Sequence, residues 1–259
     1  MNTVDWFLVF LLAFCALLGG LFRRLSGFGG AMVMAPLLIG FFPLTAVIPI
    51  VMTMELAGGI YLAKNWQVEK KDRSRVYRIL IASTIALPLG IYIGDQVAPQ
   101  NLKIIASIAV LFFSAYLLLQ PHVRVVLSSW KDNIIGALAG FLLGSCGFGG
   151  PVVALYLGAS PLDYRHIRSI LSLVVSGLAL LGIVFAIFYT GGFSWLPWLL
   201  VGFPGFVTGF LIAGYIERRG FITESRLRRF SLYFLMGNAL INLVISILLT
   251  KGLVTLTTN

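Results

Sequence analysis

The tetrapeptide Gly27-Phe28-Gly29-Gly30 recurs letter for letter as Gly147-Phe148-Gly149-Gly150. Each copy follows an apolar stretch and opens a shorter one, residues 31–42 and 151–159, which Pro43-Leu44 and Pro161-Leu162 close. Glycine permits positive φ and close backbone approach, so each copy predicts a tight turn that starts a helix. Pro151 suits a first helical position. The first N–H groups of a helix have no internal partner. Aimed into a protein-lined cavity, they make an anion site. For one copy alone, helix packing through small residues would explain the glycines equally well. The pair favours a site, with Gly27, Gly29, Gly30, Gly147, Gly149 and Gly150 as substrate-binding candidates. Ser26, Ser145 and Cys146 flank the turns, either as further polar contacts or as packing residues. No Lys-Ser or Lys-Thr follows the glycines, which excludes a nucleotide-phosphate loop.

Three charged residues join this set. Glu55 lies in the middle of an apolar run. A charge at mid-bilayer costs about 2.5–3.5 kcal/mol on insertion scales, which makes such a residue a functional candidate by default. It is a candidate proton carrier, the alternative being a neutral, hydrogen-bonded acid inside a helix bundle. Arg23 and Arg24 close the first apolar segment, where they would either draw an anion toward the first turn or anchor the membrane boundary. Asn238 and Asn242 share a helix face at i, i+4 and suit hydrogen bonds across helices. Met32, Met34, Met52 and Met54 with Cys15 and Cys146 raise copper(I), but methionine stripes more often fill cores, and no metal is expected. His166, between Arg165 and Arg168, reads as part of a basic anchor. There is no Ser-His-Asp, HExxH or CxxC pattern, so neither an enzyme nor a cofactor is expected.

The elements that must position these residues are membrane helices. Hydrophobic residues make up 59% of the chain and charged residues 11%, against about 25% charged in a soluble domain. Mean hydropathy is +0.99. Apolar runs of spanning length cover residues 4–22, 45–63, 102–119, 170–189 and 230–249. A transmembrane barrel would show alternation instead. The net charge of +10 sits in short loops between spans, which argues for topology and against nucleic acid. The two cysteines lie in apolar segments and predict no disulfide. The N-terminus lacks a basic region and reads as a first span rather than a cleaved signal.

Loop charge sets the orientation. Lys64, Lys70, Lys71, Arg73, Arg75 and Arg78 form one basic cluster; Arg218, Arg219, Arg226, Arg228 and Arg229 form another. Arg124 with Lys131 and Arg165 with Arg168 mark two more. Cytoplasmic loops carry the excess of Lys and Arg, so all four face the cytoplasm, and the uncharged residues 191–194 lie outside. Parity then requires residues 4–42 to start and finish outside and residues 133–160 to start and finish inside. The expected fold is all-α: a polytopic membrane protein of two inverted-topology repeats, 1–122 and 123–259, of about five elements each. Interrupted or re-entrant helices meet near the midplane, and both termini lie outside an inner (plasma) membrane. Inverted repeats with broken helices at the midplane are a transporter signature.

These residues resemble the sulfite exporter family TauE/SafE, whose pattern is a pair of Gly-rich turns, one opening each half. The first copy, Gly27-Phe28-Gly29-Gly30 through Pro36-Leu37, fits well. The second fits at its glycines, with Tyr156-Leu157 where relatives often have Pro-Leu. The resemblance implies transport of a small anion: sulfite, a sulfonate such as sulfoacetate, or a related organic acid. The expected partners are that anion, the lipid bilayer and protons as a coupling ion. A passive anion channel and a non-transporting membrane scaffold are the alternatives.

Overall fold

The computed structural model describes residues 5–39, 41–63, 70–97, 126–147, 149–162, 164–190 and 192–219, with isolated positions between 101 and 119 and between 233 and 244. The described residues form helices joined by turns, with no strand among them. The helices are α1 (Trp6–Ser26), α2 (Gly30–Leu38), α3 (Leu44–Ala63), α4 (Lys70–Gln96), α5 (Ser129–Cys146), α6 (Gly150–Gly158), α7 (Tyr164–Thr190) and α8 (Leu196–Arg218). Five of them carry stretches long and apolar enough to cross a membrane: Trp6–Ser26, Thr45–Leu62, Asp72–Gln96, His166–Tyr189 and Leu196–Arg218. The chain is a multi-pass membrane protein. Asn238, Asn242, Arg226, Arg228 and Arg229 lie outside the described residues.

The long helices are apolar outside as well as inside. Phe7, Phe10 and Phe14 on α1, Ile81, Ile85 and Tyr92 on α4, and Leu200 and Leu211 on α8 are all exposed. Such a surface suits lipid, which imposes no penalty on an exposed leucine, and a helix bonds its interior backbone groups within itself.

Two broken pairs lie at the centre. α1 (21 residues) is followed by α2 (9 residues), and α5 (18 residues) by α6 (9 residues). At 1.5 Å per residue, α1 is about 31 Å long and α6 only about 14 Å. Each pair thus joins a nearly full crossing to a half-helix. α1 packs along α8, α5 along α4, and α3 against α7. The first two seams are built on backbone contact. A Cβ at Gly20 would strike Phe206 O, and one at Gly209 would strike Leu17 O. Gly136 and Gly140 lie likewise on Ile79 O and Ser83 O.

α4 begins at Lys70, so the basic run 70–78 is helical rather than a loop. Asp72 in its first turn suits the helix dipole. One end of the bundle gathers the starts of α4, α5 and α7 and the ends of α1 and α8. The opposite end gathers the end of α4 with Asp95, the end of α7 with Tyr189, and Phe42 packed edge-on to Trp198 at 5.0 Å. α1 therefore runs toward the arginine-bearing end and α5 away from it.

Candidate functional site

Both turns form by the same local device. α1 ends at Gly27 with φ 83° and α5 at Gly147 with φ 77°, the left-handed conformation that caps helices and that only glycine adopts cheaply. Gly27 N–H donates to Arg23 O at 3.0 Å, and Gly147 N–H donates to Leu143 O at 3.0 Å. The chain reverses, and α2 and α6 start three residues later at Gly30 and Gly150. All six candidate glycines are buried. The turns meet: the Cβ position of Gly150 is 3.8 Å from Phe28 O. The surroundings exchange between the halves. Gly27 lies on Arg168 of α7 and Gly147 on Ile48 of α3; Gly30 lies on Glu55 of α3 and Gly150 on Val175 of α7.

The two helix starts differ in how their donors are satisfied. At the first, Ser26 Oγ donates to Phe22 O at 2.7 Å and accepts from Gly29 N–H at 2.9 Å. Ala31 N–H donates to Glu55 Oε1 at 2.5 Å. At the second, Cys146 stands where Ser26 stands, and no side chain caps α6. Proline occupies position 151, where α2 has Ala31, so the donor that Glu55 satisfies in the first half does not exist in the second. Ser145 Oγ turns away to Phe141 O at 2.9 Å and touches Cys146 Sγ at 3.6 Å.

Glu55 and Arg23 are both fully buried, 0% exposed, and Arg23 Nε stands 2.8 Å from Glu55 Oε2. That N–H is aimed at Glu55 O, 3.3 Å away, so Oε2 faces the guanidinium without receiving a hydrogen bond. The other guanidinium nitrogens donate to Gly27 O and, at 3.3 Å, to Ser176 Oγ. Arg23 is thus part of the first turn and not a boundary anchor. Arg24 points elsewhere, stacked over Tyr61 and Phe210 at 5.2 and 5.0 Å and paired with Glu217 at 3.3 Å. Arg168 joins Glu217 to Arg24 O, donating to the latter at 2.6 Å.

A second charged cluster ties α4, α5, α6 and α7 together, and the sequence reading missed it. Asp132 receives Arg78 Nη2 at 2.6 Å and the Tyr156 hydroxyl at 2.8 Å. Asp72 receives Arg75 Nη1 at 2.5 Å and lies 2.6 Å from His166 Nε2. Both carboxylates are fully buried. His166 is therefore a partner of Asp72, not only a basic anchor. The available signal was one acid beside basic residues in the first turn of each helix, Asp72 between Lys71 and Arg73 in α4 and Asp132 next to Lys131 in α5.

The opposite end is open. A cavity of about 300 Å³ is lined by Phe42, Ile48, Ile91, Leu143, Gly144 and Tyr189, among others. Ile48, which lines the cavity, also lies 3.6 Å from the Cβ position of Gly147 in the second turn. Met32, Met34, Met52 and Met54 are core residues, and the described residues hold no cluster of metal ligands.

The pattern of sulfite exporter TauE/SafE proteins matches residues 12–241 of the 259. The chain belongs to the sulfite exporter TauE/SafE family. The match takes in both turns, Arg23, Glu55 and every helix described above except residues 6–11 of α1. TauE/SafE is a family of membrane transporters, and this member is a transporter of that type. No curated protein and no solved structure gives a significant match.

Proposed function

We propose that the protein is a secondary transporter of a small oxyanion, sulfite or an organosulfonate such as sulfoacetate, working by alternating access around the two glycine turns. The observation that carries this reading is the meeting of two buried, oppositely directed helix-starting turns beside one buried guanidinium. Backbone donors and an arginine supply positive potential where water is excluded, and there they act far more strongly on an anion than they would in solvent.

The halves, 1–122 and 123–259, act as inverted repeats. In support, α1 and α5 run in opposite directions, and each turn is seated on the other half or on its own by the same exchange of partners. The arginine-bearing end faces the cytoplasm of an inner (plasma) membrane, by loop charge, so that both termini lie outside. The two ion-pair clusters close the cytoplasmic end, and the cavity opens the other. This arrangement suits the outward-facing half of a transport cycle. A proton gradient is the driving force, with Glu55 the group that carries the proton.

Counterflow in proteoliposomes tests the reading. Vesicles preloaded with unlabelled sulfite should accumulate labelled sulfite transiently, because a carrier returns faster when loaded. A passive channel equilibrates without that overshoot, and a scaffold takes up nothing above empty vesicles.

A further inference from the structure

The first helix start already holds an anion. Glu55 Oε1 accepts from Ala31 N–H, and Oε2 faces Arg23 Nε at 2.8 Å. The equivalent place in the second half is apolar and uncharged: Leu143 stands for Arg23, Val175 for Glu55, and Pro151 removes the donor. Leu143 is 1% exposed and Val175 5%. A packed apolar version of this spot therefore exists in the same molecule, and charge is not needed to fill it. A buried pair of this kind is weak support for stability and is commonly neutral or worse against apolar residues of similar volume. Its retention beside the turn calls for another role.

We propose that Glu55 is a tethered stand-in for the transported anion: substrate displaces its carboxylate from Arg23 and Ala31 N–H, and the displaced carboxylate leaves as the neutral acid. This rests on the transporter reading above and assigns Arg23 as the anion-binding cation. The charge balance enforces the coupling. Empty, the site holds one guanidinium and one carboxylate. Loaded with a monoanion, it can stay neutral only if Glu55 takes up one proton. A dry site tolerates no unpaired charge, so anion and proton bind together and cross together.

Among the described residues, the surroundings supply no competing acid. Glu55 is faced by Arg23 from α1 and by the N–H groups of α2. Behind Arg23 stand Ser176 and Arg168 of α7, while α8 presents Phe206 and Phe210 beside Gly58. Glu217, the nearest other carboxylate on α8, is taken by Arg24 and Arg168.

The test uses methanesulfonate, a strong-acid anion whose charge does not change with pH, and purified full-length protein in detergent. The parent should bind it more tightly as pH falls, approaching tenfold per pH unit where Glu55 is ionised in the empty site. Binding in weak buffer should take up about one proton per anion. Glu55→Gln keeps an acceptor for Ala31 N–H and should bind with little pH dependence and no proton uptake. Arg23→Leu/Glu55→Val copies the second half; it should remain folded and lose at least tenfold in affinity. Parent binding without pH dependence or proton uptake overturns the stand-in while leaving the transporter reading intact. So does parent-like binding by the double variant. Failure of the parent to bind either methanesulfonate or sulfite overturns both.

Discussion

Removing one member of the Arg23–Glu55 pair should be far worse than removing both. Arg23→Leu leaves a fully buried carboxylate without its counter-charge, which costs about 3–5 kcal/mol. Glu55→Val leaves a buried guanidinium, about 3–5 kcal/mol, and also strands the Ala31 N–H, about 1–3 kcal/mol. The double variant Arg23→Leu/Glu55→Val has no stranded charge. The Ala31 N–H is left without an acceptor and Gly27 O loses the donor that Arg23 supplied, so its cost should be about 2–6 kcal/mol, still well below the sum of the single losses. Adding Ala31→Pro removes that donor too. Proline is tolerated in the first helical turn, and Pro151 already follows Gly150 in the same place. The triple variant should therefore be more stable than the double. The assay is unfolding in mixed micelles with rising dodecyl sulfate, followed by tryptophan fluorescence and circular dichroism. A double variant destabilised by the sum of the two single losses would refute the argument that the pair is electrostatically self-contained.

Other expectations follow from particular contacts. Gly30→Ala should cost much more stability than Gly150→Ala, because a Cβ at Gly30 would meet Gly19 O at 2.9 Å as well as Glu55, whereas at Gly150 the tightest contact is Val175 Cγ2 at 3.3 Å; thermal unfolding of the two variants compares them. Gly147→Ala should lose about 1–2 kcal/mol from its left-handed φ, and Gly147→Asn should recover part of it in the same assay. Tyr156→Phe removes one hydrogen bond from Asp132 and should cost about 1–3 kcal/mol, since the remaining bonds come from arginine. Asp132→Ala strands Arg78 in a partly buried place and should cost more, by the same measurement. Single cysteines at Gly192 and Asp95 should react with impermeant maleimide in intact cells, and one at Lys131 only after permeabilisation. Reaction at all three from outside would refute the assigned orientation.

Much of the architecture was legible because lipid makes strong demands on sequence. Runs such as 170–189 admit few alternatives, and two identical Gly-Phe-Gly-Gly turns mark two broken helices. Glu55 stood out for the same reason, a lone acid where acids are expensive. Its partner did not. Arg23 lies at the end of a span, where an arginine commonly reaches the interface, and only the packing of α1 on α3 shows that it turns inward. The start of α4 at Lys70 was not legible, because a basic run reads as a loop while its residues are good helix formers. The Asp72–His166 and Asp132–Tyr156 contacts join residues far apart in the chain, so charge patterning along one helix could not reveal them. The unequal chemistry of the two turns was visible only in part. Pro151 was in plain view, but its meaning depended on seeing Val175 where the other half has Glu55.

The location of a bound anion tests the account most directly. Selenite is a close analogue of sulfite, and its selenium gives an anomalous signal in a crystal of the protein. The account predicts a peak between the two turns, within hydrogen-bonding reach of Arg23 and of the N–H groups around Gly149 and Gly150. Glu55 should be turned away from Ala31 in that complex. A peak confined to the cavity beside Phe42 and Tyr189, with Glu55 still bonded to Ala31 N–H, would contradict it.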